Sequence, residues 1–256
     1  MRKIKILMLL FIFPAAGFTQ KTVTATSIIA SINNNAPVNI TDAQVTGDLD
    51  FTRLANMKAE SSSNSSEKVY ISTVNSPVSF TNCSFKGKVL GYFNPDIGKP
   101  FSNSNSVFNA NFTADVSFEN CNFEKEAAFK YSVFSAKISF AGSKFNDDAV
   151  FKYSKFEQGP KFTGSLFKNT AEFKYVEFPA GFDFSSAVFE RGADFKYAKF
   201  LNEGSFANAK FMNGSDFKYA AFSHSVNLKG ASFNGSNDFK YTTLDDQTTT
   251  LTELVK

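Results

Sequence analysis

Between Phe112 and Leu244 an apolar residue, nearly always Phe, returns after alternating steps of five and six positions, as in Phe129, Phe134, Phe140, Phe145, Phe151, Phe156, Phe162, Phe167 and Phe173. The tripeptide Phe-Lys-Tyr marks the same rhythm at Phe129, Phe151, Phe173, Phe195, Phe217 and Phe239, every interval being 22 residues. A fixed period of this size means stacked units, each burying its apolar face only against its neighbours. Two positions before each Phe sits a residue that is usually small, such as Ala149, Ala171, Ala193 and Ser215, or Ser165, Ala187, Ala209 and Ala231. In an extended segment these two positions share a face, so every short strand points one small and one large side chain inward. A looser series runs through Ile138, Pro160, Phe182, Gly204 and Val226. Turn formers such as Gly142, Gly164, Ser186, Asn208 and Gly230 occupy the corners.

The ends of the chain depart from this rhythm. Ile28, Ile29 and Ile32 fall at helical spacing within residues 24 to 34, after hydroxyl residues able to cap, and predict a short helix covering the first coil. Val38, Ile40, Val45, Leu49 and Phe51 then read as the strands that begin the stack. Glu60 to Lys68, almost all Ser, Asn and Glu, cannot bury enough apolar surface to order itself and reads as a surface loop. The segment Val78-Ser-Phe-Thr-Asn-Cys-Ser-Phe85 recurs at Val116 to Phe123 with an offset of 38, which places an insertion in Val89 to Asn105. The expected organisation is a leader over 1–20, an N-terminal cap and first strands over 21–55, and irregular early coils with loops over 56–107. A regular rod over 108–244 and a terminal cap or tail over 245–256 complete it.

The units Ala171-Glu-Phe-Lys-Tyr, Ala193-Asp-Phe-Lys-Tyr, Ser215-Asp-Phe-Lys-Tyr and Asn237-Asp-Phe-Lys-Tyr resemble those of the pentapeptide-repeat family: a small residue, an Asp or Asn, a Leu or Phe, then two variable residues. The resemblance covers roughly residues 78 to 87 and 108 to 244. It implies an all-β fold, a right-handed quadrilateral parallel β-helix, here with about 22 residues per coil and a short N-terminal helix cap. The family's usual coil is two residues shorter, so this chain needs an extra residue at two of the four corners.

Composition sharpens the picture. The chain has 33 Phe and no Trp. A buried Phe contributes roughly 2 to 3 kcal/mol by area transfer, so a long Phe core can offset the ordering of an elongated rod. Arg2, Lys3 and Lys5 precede the apolar run Ile6 to Phe13 and the small residues Ala15, Ala16 and Gly17, the pattern of a secretory signal. That run is too short to span a bilayer. Of 27 Lys and Arg against 24 Asp and Glu, three bases lie in this leader, leaving 24 of each and a net charge of zero. Net charge thus gives no warrant for nucleic-acid or membrane-surface binding, and a periplasmic or extracellular place in a bacterial envelope is expected.

Chemistry has few candidates. Lys130, Lys152, Lys174, Lys196, Lys218 and Lys240 form an outward column beside Tyr131, Tyr153, Tyr175, Tyr197, Tyr219 and Tyr241. These form a candidate strip for an anionic polymer, a glycan or a protein. A solvated ladder supporting strand stacking is the plainer and favoured reading, because Glu172, Asp194, Asp216 and Asp238 make an opposing acid column. Cys83 and Cys121 both precede a Phe by two positions and read as small inward residues, with a disulfide between adjacent coils as the alternative. His224 reads as a surface residue, and the pairs Asp147-Asp148 and Asp245-Asp246 as solvated turn residues without partners. No nucleophile, base and orienter set and no phosphate-binding loop appears, so neither an enzyme nor a cofactor or metal is expected. The expected role is a non-catalytic scaffold or binding rod, its partner an unknown protein or glycan, with a homodimer through a terminal cap as a further option. A DNA mimic regulating a nucleic-acid enzyme is the weaker alternative.

Overall fold

A coil is built from two kinds of corner. In Phe129-Lys130-Tyr131-Ser132 the amide of Ser132 donates to the carbonyl of Phe129 at 3.0 Å, and Tyr131 takes φ 60°. Half a coil later Phe140-Ala141-Gly142-Ser143 repeats the turn, with Ser143 donating to Phe140 at 3.0 Å and Gly142 at φ 66°. Wider bends near Ala136 and Asp147 make the other two corners. In the computed structural model, which describes residues 20–60, 68–96 and 106–255, the coils then stack as parallel strands. The register is Ala127 on Ala149, Ala149 on Ala171, Ala171 on Ala193, Ala193 on Ser215 and Ser215 on Asn237. One turn of this right-handed β-helix therefore consumes 22 residues.

The strands fall into six sheets that make four faces. Two faces run unbroken as sheets of nine and eight strands. A third is interrupted at Pro160, which has no amide hydrogen to give the ladder and leaves only the single bridges Ser139 to Lys161 and Lys161 to Asp183. The fourth thins to one bridge, Glu177 to Lys199.

Four ladders of Phe rings fill the interior. One climbs through Phe129, Phe151, Phe173, Phe195 and Phe217 with centroids 4.9 to 5.3 Å apart. Another passes through Phe123, Phe145, Phe167, Phe189 and Phe211 at 4.7 to 4.8 Å. Rings of different ladders meet edge to face, as in Phe162 with Phe173 at 5.3 Å and 83° and Phe184 with Phe195 at 5.6 Å and 90°. Each ring thus gains area burial and the favourable aromatic geometries together. The loose series has a steric reason as well. Phe182 is buried where its column otherwise holds smaller residues, and a Cβ on Gly204, one coil above, would lie 2.1 Å from the Phe182 ring.

The stack starts earlier than Val38. Lys21–Thr24 pairs in parallel with Ala43–Thr46, so the first coil opens at Lys21. Within that coil lies α1 (Ala25–Asn33), whose first turn is capped by Thr24 accepting from the amide of Ser27 at 3.2 Å. Ile28 and Ile32 are buried over the end of the core. Two insertions then leave from one corner. Val89–Leu90 still belongs to the regular coil, pairing with Ala127–Ala128. The extra chain leaves at Gly91, and Tyr92–Phe93 pairs antiparallel with Phe108–Asn109. One coil earlier Lys58–Ala59 pairs antiparallel with Tyr70–Ile71. Lys68–Val74 and Ser106–Phe112 stack over seven residues, and together these strands make a small flange. Residues 1–19 of the leader and 61–67 of the Glu60 to Lys68 loop lie outside the described residues. At the far end Gln247–Thr248 folds back on Thr243–Leu244. The short helix α2 (Leu251–Leu254) follows, with Thr250 and Glu253 forming a capping box.

Candidate functional site

The Phe-Lys-Tyr corner places its tyrosine in the left-handed region in every coil, with φ from 59° to 62° at Tyr131, Tyr153, Tyr175, Tyr197, Tyr219 and Tyr241. An L-residue with a bulky side chain pays about 1 to 2 kcal/mol for that conformation. The equivalent corner across the rod holds Gly142, Gly164, Ser186, Asn208 and Gly230, residues that take positive φ more readily or carry little bulk. Both corners make the same interstrand bonds, Tyr153 donating to the Lys174 carbonyl at 3.0 Å and Gly164 to that of Ser185 at 2.8 Å. The fold thus asks for a left-handed corner and does not ask for Tyr.

The six rings stack into one straight ridge, with centroids 4.7 to 5.0 Å apart and planes within 2 to 16°. Their residues are 37 to 52% exposed. Tyr92 of the flange leans on Tyr131 at 6.0 Å, so the flange continues the same corner line. Because neighbouring rings cover one another's faces, the ridge offers solvent the ring edges and phenol hydroxyls. Face-on stacking of a sugar is available only at the ends.

The lysines bind back to this ridge. Lys130, Lys152, Lys196, Lys218 and Lys240 sit 4.8 to 5.8 Å from the centroid of the adjoining tyrosine. Lys174 instead pairs with Asp194 at 2.9 Å and shares Glu172 with Lys152, each at 3.7 Å, and the hydrogen bond to Asp194 raises its pKa. The acid column serves the turns: Asp194, Asp216 and Asp238 accept the amides of Lys196, Lys218 and Lys240 at 3.2, 2.9 and 2.9 Å. The structure therefore brings all twelve candidate residues onto one corner. The left-handed tyrosines were the feature missed from the sequence, although a shift of half a period would have aligned Tyr131 with Gly142.

Other candidates resolve differently. Cys83 and Cys121 are buried free thiols on adjacent coils, and the alternative disulfide is not formed between them. In parallel coils in register both side chains run side by side in one direction, and the thiols donate to the carbonyls of Ile40 and Phe80. Ser143 and Ser165 continue the column, donating to Phe118 at 2.6 Å and Phe140 at 2.8 Å. The hydrogen bond with Cys83, helped by burial, holds Cys121 above the ordinary thiol range. His224 lies at the surface, but Asp245, expected to be a solvated turn residue without a partner, has one. Its carboxylate binds the His224 ring and amide, and the ring contact holds its pKa below the usual carboxylate range. Asp147 likewise accepts from the Asp148 amide at 3.0 Å.

A groove of about 630 Å³ at the foot of the flange is floored by Leu90, Ala128 and Val150 and edged by Tyr92, Lys130 and Glu126. It assembles no nucleophile with a base. Among the described residues no cluster of His, Cys, Asp and Glu is arranged to hold a metal.

A family model described as pentapeptide repeats (9 copies) matches residues 108–155, 129–177 and 151–199. No curated protein and no solved structure matches the chain.

Proposed function

This chain belongs to the pentapeptide-repeat family, and from that premise we propose that it is a non-catalytic binding rod of the bacterial cell envelope, docking its partner along the Tyr131 to Tyr241 ridge. One observation carries the reading. Two corners per coil share a backbone conformation, one is filled by Gly, Asn or Ser, and the other is filled six times by Tyr. Backbone strain retained where the fold has an easier solution points to a surface kept for contact. The interior supports a role without catalysis, since stacked Phe rings fill it and leave no room for a reacting centre. A DNA mimic would need an acidic surface, and residues 21 to 256 balance their charges.

The test is made in the native host. Tyr153, Tyr175, Tyr197 and Tyr219 are replaced by Asn, the residue that the opposite corner carries at Asn208. The rod should remain folded and leave the envelope fraction for the soluble one. Unchanged retention of a folded variant would show that the ridge docks nothing.

A further inference from the structure

We infer that the surface received by the ridge is an anionic lipid bilayer, an inference that rests on the ridge being a docking surface. Shape argues first. The ridge is a convex corner, straight over five steps of about 4.8 Å and so about 24 Å long. Among the described residues no wall runs along it to enclose a linear polymer. A convex line fits a broad, yielding surface, and the flange that continues the line adds the half-exposed aromatics Tyr70, Phe93 and Phe108 and the exposed Met57.

The chemistry points the same way. With the ring faces spent on one another, each tyrosine turns outward an apolar edge that ends in a hydroxyl. Such amphipathic rings settle at the boundary between headgroups and acyl chains. The ammonium groups flank them on both sides. The column Lys130 to Lys240 precedes the tyrosines, and the exposed Lys155 and Lys199 follow by two positions. On the flange, Arg53, Lys58 and Lys68 are exposed as well.

The opposing carboxylates are each engaged by a neighbour, Glu172 by Lys152 and Lys174 at 3.7 Å. Glu172, Asp194, Asp216 and Asp238 lie three positions before the tyrosines on the flat face, and the last three are tied to backbone amides. Glu177 is paired with Lys199 at 3.3 Å, and Asp50 lies 3.8 Å from Arg53. A plane approaching the corner meets the exposed phenols first, with the exposed Lys155 and Lys240 beside them. Long lysine stems let the charge reach phosphate while the methylenes lie against the rings.

The chain carries its own probe. It has no Trp, and six of its eight Tyr are ridge residues. Tyrosine emission is recorded as the full chain is titrated with vesicles whose acyl chains carry a brominated quencher. One set is pure phosphatidylcholine and the other contains phosphatidylglycerol. Residues 1 to 20 are kept in every variant, so the leader contributes equally. Emission should fall with the anionic vesicles, recover at high salt and stay high with the neutral ones. A variant with Lys152, Lys196, Lys218 and Lys240 changed to Gln should need at least tenfold more anionic lipid for the same quenching. Its Arg counterpart should behave as the parent, which separates lost charge from lost fold.

No quenching by anionic vesicles would overturn the inference, as would equal quenching by both kinds or a Gln variant as sensitive as the parent. If the Asn variant leaves the envelope while vesicles fail to quench, the ridge docks a protein or a glycan. The lipid assignment then falls and the binding rod stands.

Discussion

A single residue in this rod is valued by the side of the backbone on which it lies. Phe173 touches rings of its own ladder above and below and edges from neighbouring ladders, and it is fully buried. Truncating it to Ala leaves a ring-sized cavity in a column that neighbouring coils hold open, and should cost about 3 to 5 kcal/mol in chemical unfolding. Tyr175→Ala, on the outer side of the same turn, keeps the left-handed backbone and loses half-exposed stacking on Tyr153 and Tyr197, about 0.5 to 1.5 kcal/mol per pair, so its cost should stay below that of Phe173→Ala. Equal losses would contradict the division between inside and outside. This division was legible in the sequence, because the five-six rhythm and the small residue two positions ahead of each Phe follow directly from alternation along a strand. The strain at Tyr175 was not legible, since a φ of 59° belongs to the corner and residue type alone gave no sign of it.

At the scale of the element, neighbouring coils are matched by volume. Gly204 is small because Phe182 fills the space next to it, and Gly204→Ala drives a methyl group into that ring. Overpacking of this kind should cost about 1 to 3 kcal/mol, and Phe182→Leu in the same chain should return part of the loss. A Gly204→Ala variant as stable as the parent would show that the two positions are not coupled.

The C-terminal strap has a pH dependence set by Asp245, whose pKa is lowered principally by its hydrogen bond to His224. A depressed carboxylate contributes stability that is present above its unfolded pKa and lost as pH falls through its folded one. Acidification below the ordinary carboxylate range should therefore raise amide exchange in residues 246 to 255 before the Phe ladders respond. Asp245→Asn should abolish that early limb. The sequence exposed neither device. Both join residues about one coil apart in the chain, and such pairs become visible only once the period is turned into contacts.

For the molecule as a whole, a stack of this kind tolerates loss of an entire unit. Removing Phe129 to Val150 joins Ala128 to Phe151 in register and spares the Phe182 and Gly204 pair. A shorter rod with a single cooperative transition should result, and a chain that no longer folds would deny that coils are the units. The regular rod was readable from its repeat, and the helix over Ala25–Asn33 from its isoleucine spacing. The flange was not, because two insertions of unlike sequence share one corner only after the coils are closed. The ridge residues were readable as columns, but their meaning came from comparing the two corners in space. The most direct test of that meaning is chemical unfolding of the chain carrying Asn at Tyr153, Tyr175, Tyr197 and Tyr219. Relief of about 1 to 2 kcal/mol of left-handed strain per site should match or exceed the roughly 0.5 to 1.5 kcal/mol of each lost ring pair, so stability should hold or rise. Four sites regain at least about 1 kcal/mol each while five ring pairs lose at most about 1.5 kcal/mol each, so a loss beyond about 4 kcal/mol would show that the tyrosines hold the rod together and would contradict their assignment as a surface kept for binding.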